Sequence, residues 1–108
     1  MEVWVQLPSR VQSLNIMLGL FYFMYYVYIL YSKKSDRYYV GHCEDIDIRL
    51  TRHNAKQVPS TKPYAPWEVV YTEKFVERGL ASGREKEIKK KKSRKYIEYL
   101  IGLGRNLK

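Results

Sequence analysis

A chain of 108 residues has room for one hydrophobic core and little for a second. Its 20 lysines and arginines against 11 acids give a net charge of +9 and a pI near 9.7, which favours a polyanionic partner, with nucleic acid first and an anionic membrane surface as the rival. A single cysteine, Cys43, excludes a disulfide framework within the monomer and a cysteine-rich zinc site, and it suits a reducing compartment such as the cytoplasm.

Leu14 to Tyr31 is almost wholly apolar, with Asn15 as the main polar interruption. Its length reaches the lower range of a transmembrane helix, so a membrane anchor is one reading. No small-residue cleavage site follows, which disfavours a signal peptide. The other reading splits the run. Residues 1–23 then form an apolar extension without domain character, and the domain begins near Met24, itself a candidate initiator. Tyr25 to Tyr31 is rich in tyrosine and β-branched residues and ends in the turn-like Ser32-Lys33-Lys34-Ser35-Asp36, the pattern of a strand entering a hairpin. The extension carries only Glu2 and Arg10, so the whole excess of positive charge lies in Met24 to Lys108.

Arg37 to Gly41 reads as the second strand, antiparallel to the first across a short polar loop. Asp45 is suited to cap a helix over Ile46 to Asn54, on which Ile46, Arg49, Leu50 and His53 share one face at the margin of the core. Ala55 to Pro66, with three prolines, is a loop. Trp67 to Thr72 reads as a third strand with Trp67, Val69 and Tyr71 on one side. Glu77 to Lys92 reads as a long helix with Ala81, Glu85 and Ile88 inward. Ser93 to Leu103 either continues it or restarts at a Ser93 cap, with Tyr96, Ile97, Leu100 and Ile101 as its apolar stripe and Gly102 and Gly104 ending it. These elements predict an α+β domain over residues 24–103, a three-stranded antiparallel sheet flanked by helices, with 104–108 as a tail.

Four features carry chemistry. Arg49 and His53 are helical neighbours: a guanidinium fork suits phosphate oxygens, and an imidazole moves protons near neutral pH. Glu85 stands where an apolar residue is expected, so its carboxylate must be paired, with Arg84 or Lys89, or must hold a metal. Tyr28 and Tyr39 lie on adjacent strands that can bring the phenols together. The run from Lys86 to Lys95 holds seven bases (Lys86, Lys89, Lys90, Lys91, Lys92, Arg94, Lys95) against one acid, a basic collar suited to salt-sensitive backbone binding.

Together these features resemble the GIY-YIG nuclease superfamily. Tyr26-Val27-Tyr28 and Tyr39-Val40-Gly41 resemble the two halves of its name motif. The stretch from Tyr39 to Leu50 is similar to its second motif strand, turn and arginine-bearing helix, with the spacing found in the nuclease domain of bacterial excision repair. Arg84 to Lys89 resembles the helix bearing its metal-binding glutamate. The resemblance spans about Met24 to Ile101 and is closest to small stand-alone bacterial proteins that carry little beyond the nuclease core.

The resemblance implies roles residue by residue. Tyr28 helps activate the attacking water, and Tyr39 lines the same site. Gly41 allows close packing where the chain turns toward the helix. Arg49 binds the scissile phosphate, His53 takes the place of a helper histidine, and Glu85 holds the metal. Tyr26 replaces the first glycine of the motif, and His42 stands as an assisting group where several relatives have a lysine or another polar base. No asparagine follows Glu85 at the usual distance, where Ile97 lies.

A single carboxylate argues against a two-metal scheme and for one Mg²⁺ or Mn²⁺ per site. The expected activity is hydrolysis of phosphodiester bonds in DNA, with RNA open as a substrate. It is expected to select structure rather than sequence, and DNA repair or recombination is a fitting setting. The alternative is a nucleic-acid-binding module of the same fold without turnover, which the missing asparagine and His42 favour. No obligate protein partner is expected.

Overall fold

The computed structural model describes residues 24–106. The apolar extension, and with it the choice between an anchor and a dispensable leader, lies outside the described residues. Among those described, no helix is long and apolar enough to cross a membrane.

Three strands form one antiparallel sheet: β1 (Tyr25–Ser32), β2 (Arg37–Cys43) and β3 (Glu68–Phe75) in the order β2-β1-β3. Three α-helices accompany them: α1 (Ile46–Asn54), α2 (Arg78–Lys91) and α3 (Arg94–Asn106). A short 3₁₀ turn, Lys62–Tyr64, lies within the loop after α1. The architecture is the expected α+β one.

Strand β1 is central because both its faces are apolar. Val27 and Ile29 point one way and pack with Val40, Ala81, Ile88 and Leu100, under α2 and α3. Tyr28 and Leu30 point the other way and pack with Cys43, Ala65 and Trp67, beneath α1 and its loop. Residues alternate between faces along a strand, so YYVYILYS supplies two cores at once. Each fully buried aliphatic side chain there contributes about 1.5–3 kcal/mol.

Strand β2 runs two residues past Gly41, to Cys43, because Val27↔His42 and Tyr26↔Cys43 continue the ladder. Strand β3 breaks the alternation expected of it. A bulge between Ile29 and Leu30 shifts the register from Ile29↔Tyr71 to Leu30↔Val69. Val69 therefore joins Trp67 on the α1 side, whereas Val70 and Tyr71 both pack on the other core.

Asp45 caps α1 as expected, its carboxylate accepting from the Ile48 amide at 3.0 Å. The two C-terminal helices are separate. Lys92 adopts φ 48°, which ends α2, and the Ser93 hydroxyl caps the next helix by accepting from the Tyr96 amide at 3.1 Å. Gly102 and Gly104 do not end α3, which runs on to Asn106. Gly104 is interior to the helix because the chain needs it small: a methyl there would lie 3.2 Å from the Tyr71 ring. The helix end expected at Leu103 thus moves to Asn106.

Candidate active site

Strand β2 is an edge strand, and side chains from both faces of the sheet converge around it. Tyr28 shares a face with its register partner Gly41, and His42 shares the opposite face with Val27. Tyr28, Gly41 and His42 nevertheless line one cleft of about 570 Å³, together with Tyr39, Glu44, Asp45, Arg49, Arg52, Arg78 and Glu85. Helix α1 presents Arg49 and Arg52 from one side, and α2 presents Glu85 from the other.

The floor of the cleft is aromatic. The Tyr28 and Tyr39 rings stand 6.4 Å apart, and Tyr39 is 5.0 Å from the His53 ring and 6.2 Å from Trp67. The pairing of the two motif tyrosines expected from their strands is therefore present. Gly41 makes it so. It lies within β2, opposite Tyr28, rather than at the turn toward the helix, and the phenol of Tyr28 lies across its bare Cα.

His53 is placed differently from the expectation. It is not at the margin of the core but fully buried, behind the cleft wall. Its Nε2 is 3.0 Å from the Tyr28 hydroxyl and its Nδ1 is 2.7 Å from the Thr61 hydroxyl. Helical spacing put His53 beside Arg49 correctly, but the loop of residues 55–66 folds over it, and no periodicity announces that. Burial, then the nearby Arg49 charge, pushes the imidazole pKa below its ordinary value, so the ring is held neutral. Burial also raises the Tyr28 phenol, with Tyr39 adding to the rise and Arg49 opposing it.

Glu85 has both carboxylate oxygens engaged. His42 Nδ1 meets one, and Lys89 Nζ donates to the other at 2.5 Å. Burial raises its pKa, but the bonds from Lys89 and His42 outweigh this and leave the acid below its usual range. Of the two partners expected for Glu85 as an ion pair, Lys89 is the observed one. Arg84 turns to the far side and grips Glu73 with two bonds, at 2.8 and 3.0 Å.

No group of three or more His, Cys, Asp or Glu residues suited to a metal occurs among the described residues. Two further carboxylates line the cleft, Glu44 bonded to Arg78 and Asp45 capping α1, so the single carboxylate expected of the site is one of three; a divalent ion held through Glu85 would complete its hard-cation shell with water and phosphate oxygens. The donor set fits that arrangement. The Glu85 carboxylate lines the cleft and its pKa is lowered, so it is ionised, with Lys89 and His42 as its present partners.

The basic run is divided rather than continuous. Lys89 faces the cleft and lies over the Tyr39 ring at 5.7 Å. Lys91 covers Tyr96, and Arg94 is bound by Asp36 and Glu98 beside Tyr38, away from the cleft. Lys86, Lys90, Lys92 and Lys95 are exposed. The αL residue Lys92 turns the chain between helices, so charges adjacent in sequence part in space.

Sequence reasoning passed over Arg52, Arg78 and Ile48 in the cleft wall. Arg52 follows Arg49 by three residues, so helical spacing alone could have found it. Arg78 opens α2 and bonds Glu44, a tertiary meeting that nothing local signals.

An edge strand bearing one tyrosine, a central strand bearing the other, a helical arginine and a glutamate on a second helix together define a small α+β domain built around one cleft. The chain belongs to the GIY-YIG family: the GIY-YIG catalytic domain matches residues 24–97. It is 35% identical over 66 residues to a UPF0213 protein of Natronomonas pharaonis, covering 60% of this chain and 76% of that protein. It is similar as well to a UPF0213 protein of Bacillus halodurans whose solution NMR structure is known, at 32% identity, with a TM-score of 0.47, covering 74% of this chain and 84% of that one.

Proposed function

We propose that this protein is a metal-dependent endonuclease that hydrolyses phosphodiester bonds in DNA, selecting structure over sequence, with DNA repair or recombination in the cytoplasm as its setting. The observation that carries the reading is the convergence of Tyr28, Tyr39, Arg49 and Glu85 on one cleft. Arg49 and Arg52 supply guanidinium donors for phosphate oxygens. The exposed lysines of α2 and α3 supply further contacts that follow backbone charge and carry no base information.

Hydrolysis requires a water to lose a proton as it attacks phosphorus. A raised phenol pKa means that Tyr28 is no standing phenolate at neutral pH. His53 resolves this. Its neutral ring offers Nε2 to the Tyr28 hydroxyl at 3.0 Å. As water gives its proton to the Tyr28 oxygen, the Tyr28 O–H bond breaks toward His53 Nε2; the resulting hydroxide forms the new bond to phosphorus as the bond from phosphorus to the leaving sugar oxygen breaks, and that oxygen takes a proton from solvent. Arg49 stabilises the charge that builds on the phosphate oxygens. Tyr39 packs against both the Tyr28 and His53 rings and positions the pair. Glu85 would hold a divalent ion, which would supply charge neutralisation at the phosphate. His42 bonds Glu85 and orients its carboxylate.

The test is a nicking assay with the full chain on supercoiled plasmid and branched DNA, with Mg²⁺, Mn²⁺ or chelator. Metal-dependent cleavage that is lost in Arg49→Ala and Glu85→Ala is the expected result. Equal cleavage in chelator would overturn it. One observation favours a second reading, a binding module without turnover: both Glu85 oxygens are already occupied by His42 and Lys89. Salt-sensitive DNA binding with no cleavage under any metal would establish that reading instead.

A further inference from the structure

A buried chain of polar groups runs inward from the cleft: Tyr28 hydroxyl, His53 Nε2, His53 Nδ1, Thr61 hydroxyl, Val58 carbonyl. The successive separations are 3.0 Å, 2.7 Å and 3.3 Å. His53 and Thr61 are both fully buried, and Tyr28 is 2% exposed. Solvent therefore does not set the direction of these hydrogen bonds, and the protein's own groups must.

The direction follows from the inner end. A backbone carbonyl only accepts, and the Thr61 hydroxyl donates to that of Val58 at 3.3 Å, sharing the oxygen with the Thr61 and Lys62 amides. With its proton so placed, the hydroxyl oxygen is free to accept, and in this arrangement the Nδ1 of His53 donates to it. A neutral imidazole carries one N–H. With the proton on Nδ1, the Nε2 lone pair is left facing Tyr28. We propose that Thr61 is a positioning residue that fixes His53 in the Nδ1–H tautomer, so that Nε2 is the proton acceptor for the Tyr28 hydroxyl. This inference rests on the proposed role of Tyr28 in hydrolysis.

The loop holds Thr61 on every side. Its amide donates to Val58 at 3.1 Å, and its carbonyl accepts from the Trp67 indole at 3.1 Å. Trp67 is itself clamped by Asn54, whose side chain bonds the Trp67 amide at 2.6 Å and its carbonyl at 3.0 Å. Asn54 directly follows His53 on α1. The helix end that bears the imidazole and the loop that bears the hydroxyl are thus tied together, and the 2.7 Å contact is held from both directions. An apolar side chain at position 61 would fill the same space without selecting either tautomer.

The test reads the tautomer directly. Full-length protein with ¹⁵N-labelled histidine is examined by long-range ¹H–¹⁵N correlation at a pH where His53 is neutral. The expected spectrum shows a protonated Nδ1 and a bare Nε2 for His53. The reverse pattern overturns the proposal whatever the variants do. In Thr61→Val the two nitrogens are expected to shift toward mixed protonation, and in Thr61→Ser the wild-type pattern should return. Unchanged shifts in folded Thr61→Val would also overturn it. With the plasmid assay, Thr61→Val should lower the maximal cleavage rate about 10- to 100-fold at unchanged KM, with recovery in Thr61→Ser. The NMR result does not depend on cleavage. Nδ1–H in an inactive protein would sink the nuclease reading alone, and Nε2–H in an active one would sink the role of Thr61 alone.

Discussion

Gly41 stands directly across the ladder from Tyr28, and a Cβ built on it would lie 2.5 Å from the Tyr28 hydroxyl oxygen and 2.7 Å from its Cζ. No side chain can share that space with the phenol. Gly41→Ala is therefore expected to push the Tyr28 ring off His53, costing about 1–3 kcal/mol of stability as an overpacked core does. Cleavage should fall with it. Thermal unfolding together with the nicking assay checks this, and a fully active Gly41→Ala would show that Tyr28 need not lie where it does.

Removing only the hydroxyl is a finer probe of the same site. Tyr28→Phe keeps the ring and its packing but leaves His53 Nε2 without a partner. A loss of about 1 kcal/mol is expected from that unpaired group. Cleavage is expected to drop by about 10²- to 10⁴-fold, the usual worth of a positioned proton carrier. Arg49→Ala should lose about 10²- to 10³-fold in rate while DNA affinity changes far less. Single-turnover rates and binding isotherms on the same DNA separate these effects.

Stability should respond to pH through His53. Burial, and then Arg49, depresses its folded pKa, whereas the unfolded chain titrates it near about 6.5. Below that pH the unfolded state takes up a proton that the folded state resists. Folding stability is then complete above about 6.5 and declines as the pH falls toward the folded value. The melting temperature should fall as the pH is lowered below about 6.5, and the part of this slope due to the imidazole should be absent in His53→Gln. A flat wild-type profile would mean that the buried ring is not held neutral.

Away from the cleft, Arg84 ties three elements together. It bonds Glu73 on β3 at 2.8 and 3.0 Å, Glu87 at 2.8 Å and the Tyr96 hydroxyl on α3 at 3.2 Å. Arg84→Ala should cost about 2–3 kcal/mol, because a partly buried Glu73 carboxylate loses its charged partner. Cleavage measured well below the melting temperature should be unchanged. Chemical denaturation beside the nicking assay tests both halves.

DNA affinity should fall linearly with the logarithm of salt concentration. Each exposed lysine that meets a phosphate should contribute about one unit to the slope. Lys86→Ala, Lys90→Ala and Lys95→Ala are expected to reduce it most. Lys91→Ala and Arg94→Ala should reduce it less, since Lys91 covers Tyr96 and Arg94 is engaged by Asp36 and Glu98. Titrations at several salt concentrations distinguish these two groups of bases.

Much of this domain is legible in its sequence because the signals are local. The alternation in YYVYILYS sets the central strand, Asp45 marks the start of α1, and Ser93 marks the restart at α3. The motif tyrosines, Arg49 and Glu85 are readable because their strands and helices are regular and their spacings carry a family resemblance. The remainder depends on contacts between distant segments. The β3 bulge answers to the register against β1, which no window within β3 contains. Thr61 sits in a proline-punctuated loop with no periodicity, yet it ends next to His53. The division of the basic run comes from one residue, Lys92, in a left-handed conformation that lysine does not advertise. Gly104 looks like a helix stop until the Tyr71 ring against it supplies a reason for a small residue inside a helix.

The position of β1 in the sheet carries a consequence for how the cleft comes apart. Tyr28 rides on the one strand hydrogen-bonded on both sides, whereas Arg49 rides on a nine-residue helix whose amphipathic face is its main attachment. Hydrogen exchange is expected to be slowest for the amides around Tyr28 and faster for those of α1. Helices that short hold together through what they dock against, here the His53 and Asn54 anchors at one end. Under mild denaturant the cleft is then expected to open from the Arg49 end of α1 first, while the sheet and the anchored end at His53 and Asn54 persist.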